Sequence, residues 1–178
     1  MDLAGSPKNA SGFCLLVESG GVKNVTTKVL HSDGEILAEV ARAGSELVAV
    51  DAPMVYEGGS RRCDELMREY GALPVTLRGM ETLARRGKAL ASEFSRMGVR
   101  YVEVFSTGSA KILGVYSKDD FTLQKNMMAL DLQGDVNAKI LSRDELDAVL
   151  AAVTGYLRIL GETRDVGDEN GRITVPNV

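Results

Sequence analysis

The run Leu47-Val48-Ala49-Val50 ends in Asp51-Ala52-Pro53, and no other segment constrains the fold as tightly. Apolar residues without alternation read as a strand buried on both faces, and the proline keeps the residue before it out of a helix. Such a strand needs helices on both sides of its sheet, which is the arrangement of an α/β chain. It also leaves Asp51 at the strand's carboxyl end. A carboxylate there must be solvated, paired or metal-bound, because burying it alone is costly or forces a large pKa shift.

The flanking segments supply the other layers. Residues 12–30 read as a hairpin, with Phe13-Cys14-Leu15-Leu16-Val17, a Gly20-Gly21 turn and a run rich in Val and Thr. Ser32-Asp33-Gly34-Glu35 has the spacing of a capping box, and the stripe Ile36, Leu37, Val40, Ala41 stops at Gly44, so a helix follows. Cys63, Leu66, Met67 and Tyr70 recur at helical spacing before Gly71. A longer helix carries Met80, Leu83, Ala84, Gly87, Leu90, Ala91 and Phe94 on one face, with Arg85, Arg86, Lys88 and Arg96 on the remainder. Residues 99–105 read as a strand with Glu103 in its middle, and residues 106–135 as short helices and loop. A second capping box, Ser142-Arg143-Asp144-Glu145, opens a helix with the stripe Leu146, Val149, Leu150, Val153, Leu157 and Leu160, and residues 172–175 form the last ordered piece.

The expected fold is thus α/β, a mixed sheet flanked by helices in one domain over residues 1–178, with the strands around Leu15, Thr27, Val48 and Val102 sharing one sheet. Its first strand is short, since only Met1 precedes Asp2 where several apolar residues are normal; this suggests a truncated or miscalled start.

Composition narrows the function classes. No apolar run approaches the ~20 residues of a membrane span, and the N-terminus lacks the basic and apolar regions of a secretory signal, so a cytoplasmic location is expected. The formal net charge is −4, so overall charge encodes no broad grip on nucleic acid. Any polyanion must be held locally, by metal or by a basic patch such as Arg85, Arg86 and Lys88, whose plainer reading is a solvated helix face. Cys14 and Cys63 read as buried free thiols. His31 is the only histidine, which leaves little zinc chemistry and suits a structural or exposed residue.

The candidate chemistry lies in the acids. Taken alone, Asp51 can cap a turn near Pro53, Glu103 can face outward from an edge strand, and Asp147 can be an ordinary solvated helix acid. Together with Asp2 they suggest one acidic site, with Asp144 adding carboxylate density to the same helix face. Clustered carboxylates repel one another without a cation, and Mg²⁺ or Mn²⁺ prefers such hard oxygen ligands. A pair of these ions roughly 4 Å apart activates water and stabilises the leaving oxygen of a phosphodiester. Arg61 and Arg62, beside Asp64, suit phosphate contacts at the rim or a solvated helix start.

The order Asp2-Leu3-Ala4-Gly5-Ser6, Val50-Asp51-Ala52-Pro53, Arg62-Cys63-Asp64, Arg86-Gly87, Glu103-Val104-Phe105 and Asp144-Glu145-Leu146-Asp147-Ala148 resembles the predicted nuclease family of ribonuclease H fold catalogued as domain of unknown function 429. The resemblance runs from Asp2 to Ile173-Thr174-Val175-Pro176. It implies a ribonuclease H-like mixed sheet flanked by helices, with Asp2 on the first strand, Asp51 ending the fourth, Asp147 on the last helix, Asp144 as a further ligand and Glu103 as the acid peculiar to the family. Where that family often continues with a Pro-Gly-Ala turn, this chain has Ser106-Thr107-Gly108-Ser109. The implied activity is Mg²⁺- or Mn²⁺-dependent hydrolysis of phosphodiester bonds, with DNA or RNA as substrate. Asp2-Leu3-Ala4-Gly5-Ser6 also resembles the first phosphate loop of actin-like and sugar-kinase folds, which implies a nucleotide-dependent phosphotransferase; those folds use two such domains. A non-catalytic binding protein retaining the fold is the third reading.

Overall fold

The computed structural model describes residues 1–177. It opens on the hairpin β1 (Ser11–Ser19) and β2 (Val22–Leu30), and both turn glycines have positive φ, 61° at Gly20 and 83° at Gly21. Paired positive φ matches the right-handed twist of the flanking strands. Helix α1 (Asp33–Ala43) begins with the expected reciprocal Ser32–Glu35 box and ends at Gly44. Next come β3 (Val48–Asp51), α2 (Arg62–Leu66), α3 (Arg78–Arg96), β4 (Tyr101–Val104), α4 (Ser106–Ile112) and α5 (Asp120–Met127). The chain finishes with β5 (Leu132–Gly134), α6 (Asp135–Ala138), α7 (Arg143–Leu160), β6 (Thr163–Asp168) and β7 (Gly171–Pro176). The stretch read as helix and loop contains β5, and β6 precedes the one C-terminal strand expected.

The fold is α/β, with mixed pairing and helices on both sides. The strands form two ladders, β5-β2-β1 and β3-β4-β7-β6, rather than one continuous sheet. Residues 1–3 join them: Asp2 bridges Gly12 in antiparallel fashion and Asp51 in parallel fashion. The Asp2 amide donates to the Gly12 carbonyl at 2.8 Å, and the Asp51 amide donates to the Met1 carbonyl at 2.8 Å. The expectation of a shared sheet therefore holds only through this short central segment. Along the same line beyond Met1, the space between β1 and β3 is a cavity of about 470 Å³ walled by Cys14, Leu16, Val40, Val48 and Ala49, among others.

Alternation along β3 divides its side chains between two cores. Val48 and Val50 join Met1, Leu3, Phe13, Ile36, Leu90 and Phe94 beneath α1 and α3, whereas Ala49 meets Ala151 of α7. Two glycines set how closely the helices approach. A Cβ on Gly12 would stand 1.8 Å from the Asp144 carbonyl oxygen, and one on Gly87 would stand 2.2 Å from that of Pro53. The start of α7 thus rests on β1, and α3 rests on the turn just past Asp51. Because backbone opposes the new methyl, Gly12→Ala is expected to cost at least the roughly 1–3 kcal/mol of ordinary overpacking, read as a lowered midpoint in urea. An unchanged midpoint would show that this approach is not a constraint.

Candidate acidic site

Asp2, Asp51, Asp144 and Asp147 come together where the central strands end. Asp2 and Asp51 are bridge partners, so they share the sheet face that α7 covers. Helix α7 brings Asp144 in its first turn and Asp147 three residues later. Ser106, fully buried at the start of α4, ties strand to helix: its amide donates to Asp51 Oδ2 at 3.0 Å, and its hydroxyl donates to the Asp147 carbonyl at 2.8 Å. Sequence reasoning gave Ser106 no role.

Asp147 is held on one side only. Its Oδ2 accepts from Arg143 Nε at 3.1 Å, while its Oδ1 is buried without a hydrogen-bond partner. Arg143 also donates to Asp120 and to the Ser117 carbonyl. Sequence reasoning missed this arginine too, although its i,i+4 spacing to Asp147 makes the pair readable.

Burial pushes the Asp2 carboxyl up to about 8, aided by the charges of Asp51, Asp147 and Asp144. Burial likewise raises Asp147 to about 6, with Asp51 adding to the rise and Arg143 opposing it. Asp51 is raised by burial against the pull of the Ser106 donors. These acids are crowded, poorly solvated and short of positive partners. An all-carboxylate donor set with an orphaned buried oxygen fits a hard divalent cation such as Mg²⁺ or Mn²⁺. The oxygens of Asp2, Asp51 and Asp147 do not all lie within 4.8 Å of one another, so sharing one ion would require them to draw inward.

Glu103 does not join this group, which corrects the expectation of a four-acid site. Register pairs Val50 with Glu103 and Asp51 with Val104, so Glu103 lies on the opposite sheet face from Asp51. There it faces Arg61, only 4% exposed, which donates to both Glu103 oxygens at 2.7 and 3.0 Å. The Met54 amide adds a third donor at 2.8 Å. Burial still pushes Glu103 up to about 7, with Arg61 and this amide pulling it back.

Arg61 is corrected with it. Its remaining N–H groups go to Asp64, at 3.2 and 2.6 Å, and to the Val55 carbonyl. A guanidinium has five N–H donors, so none is left for a phosphate. Arg62 is exposed. Cys63 Sγ, Asp64 and Glu103 do offer ligand atoms within 4.8 Å of one another, with the two carboxylates sharing the single Arg61 guanidinium. Burial raises the Cys63 thiol to about 12, with the Arg61 charge pulling against it. This cluster is an ion-paired clasp.

The basic ridge is not assembled either. Arg86 is buried, donating to Asp33 and to the Ala4 and His31 carbonyls, and so anchors the loop that follows Asp2. Arg85 pairs with Glu81, and Lys88 with Glu57. His31 is exposed, and both cysteines are free, Cys63 buried and Cys14 half-buried. Among the described residues, no helix is long and apolar enough to cross a membrane. Comparison with known families, characterised proteins and solved structures finds no match for this chain.

Proposed function

We propose that the chain is a ribonuclease H-like, Mg²⁺- or Mn²⁺-dependent nuclease whose working carboxylates are Asp2, Asp51 and Asp147, with Asp144 beside them. The observation that carries this reading is their convergence at strand ends and a helix start, with one buried carboxylate oxygen unpartnered. The strand order supports it as well. An antiparallel hairpin lies on one side of the segment bearing Asp2 and parallel strands on the other, so the acids sit outside strand ends where the order reverses, the usual place for a ligand in an open α/β sheet.

Asp2, Asp51 and Asp147 would hold the cation, and Asp144 would add charge to its surroundings. A divalent ion bound there would supply Lewis acidity to a phosphodiester and lower the pKa of an attacking water. Ser106 keeps Asp51 and the second turn of α7 in fixed relation through its two hydrogen bonds. Arg143 orients Asp147 by one oxygen and leaves the other, which is buried, without a partner. Gly12 and Gly87 let the two helices close on the strand ends. No side chain is needed as a nucleophile.

The test is hydrolysis in Mn²⁺ across single-stranded DNA, RNA, hybrid duplexes and branched junctions. Cleavage is expected on some members of the panel and should vanish in chelator, while His31→Ala should cleave like the parent chain. Cleavage that survives chelation would overturn the metal-dependent reading, and a panel left intact would overturn the nuclease reading.

A further inference from the structure

A pocket of about 210 Å³ adjoins the acidic site and shares Asp2 and Asp51 with it. Its lining also takes in Arg61, Asp64 and Glu103 of the clasp, and Leu73, Met80, Leu83, Phe105 and Ile173 supply its apolar walls. The Leu73 wall is anchored. The Ala72 amide bonds to the Met67 carbonyl at 3.2 Å, the Leu77 amide to the Pro74 carbonyl at 3.1 Å, and Val75 between them is fully buried. Leu73 itself is 54% exposed, so an apolar group stands at the edge of an otherwise acidic site. Phe105 packs against Met67 and Gly108, the latter leaving its ring room that a Cβ would take, 2.7 Å from the ring.

The charged surroundings narrow what this pocket can hold. Arg61 has no free donor, Arg86 is buried, and Arg85, Lys88 and Arg143 are each paired with carboxylates. These side chains form no cationic track of the sort that grips the backbone of a duplex. An apolar pocket beside a phosphate-handling site instead suits the flat face of one base, gripped by stacking and apolar contact. Such a base must be out of its helix.

We infer that the site acts on unpaired nucleotides, with the base next to the scissile phosphate seated among Leu73, Met80, Leu83 and Phe105. The inference rests on the nuclease reading for the phosphate, whereas base binding is measured without cleavage. The probe is a hydrolysis-resistant phosphorothioate oligonucleotide carrying one 2-aminopurine, titrated with the protein in Mn²⁺ as a single strand and as a duplex. The single strand is expected to bind at least tenfold more tightly, with a change in 2-aminopurine emission. Leu73→Asn with Met80→Gln, which adds no charge, is expected to weaken it about tenfold while the Mn²⁺-induced rise in Tm stays as it was. Equal binding of both forms, no binding, or indifference to the double substitution would overturn the pocket assignment. Cleavage of duplex and single strand alike would also overturn it and leave the nuclease reading standing. Substitution-sensitive binding of the unpaired base without cleavage of any substrate would keep the pocket and overturn the nuclease reading.

Discussion

Arg61→Met is expected to cost about 3–5 kcal/mol of folding stability, because it strips the shared cation from two buried carboxylates. For a chain of this length that corresponds to a fall in Tm of roughly 6–20 °C. The deficit should depend on pH, with a definite sign. Glu103 is pushed up to about 7 in the folded chain from an ordinary 4.5, so the folded state already holds the extra proton between those values and loses stability as pH rises through them. Without Arg61 the folded value climbs further, and the variant should fall behind the parent most at pH 8 and least near pH 5. Replacing all three charges with apolar residues of similar volume should recover much of the loss, since a buried ion cluster and a packed apolar one are often close in free energy. Arg62→Ala, at an exposed position, should stay within about 0.5 kcal/mol of the parent. Urea titrations at the two pH values read all of this. An Arg61→Met protein that unfolds like the parent yet binds oligonucleotide poorly would return Arg61 to the substrate.

The contrast between Arg61 and Asp51 marks where the sequence was readable. Both capping boxes, at Ser32 and Ser142, are local devices whose partners lie three residues apart, and both form as their spacing implies. The apolar run ending at Asp51 likewise carries its own evidence of burial. The three residues of β5 have no such signal. Leu132-Gln133-Gly134 becomes a strand because the edge of β2 accepts it, and pairing of this kind is invisible to propensity. The face of Glu103 was hidden for a related reason. Its parity relative to Asp51 depends on how β3 and β4 slide against each other, and a shift of one residue would turn it to the other side. Patterning places Asp51 at a strand end and Asp147 on a helix, whereas Asp2 entered the group through the resemblance to a family. Ser106 reaches those acids across elements, where no local signal points, whereas Arg143 pairs with Asp147 at a legible i,i+4 spacing.

Asp51→Asn is expected to separate stability from function, moving the two in opposite directions. In the metal-free chain burial and neighbouring charge push Asp2 up to about 8 and Asp147 up to about 6, from an ordinary 3.8 for each. Between about pH 4 and pH 8 the folded state therefore binds more protons than the unfolded chain, and stability declines as pH rises through that window. Removing the charge of Asp51 takes away the largest electrostatic contribution to both shifts, so Asp2 should titrate lower, the decline should flatten, and metal-free Asp51→Asn should melt above the parent at pH 8. A bound cation has the opposite pH dependence, because it requires the ionised carboxylates. At a Mn²⁺ concentration 100 times its Kd the parent should gain about 5–10 °C in Tm, more at pH 8 than at pH 6, and Asp51→Asn should gain far less. Hydrolysis should fall beyond the roughly 10–100-fold loss that changing an outer-shell residue of a metal site produces. Carboxyl chemical shifts of Asp2, followed by NMR against pH in the two proteins, test the electrostatic half independently of any substrate. A variant that is no more stable than the parent at pH 8, still responds to Mn²⁺ and still cleaves would mean that Asp51 is only the end of a strand.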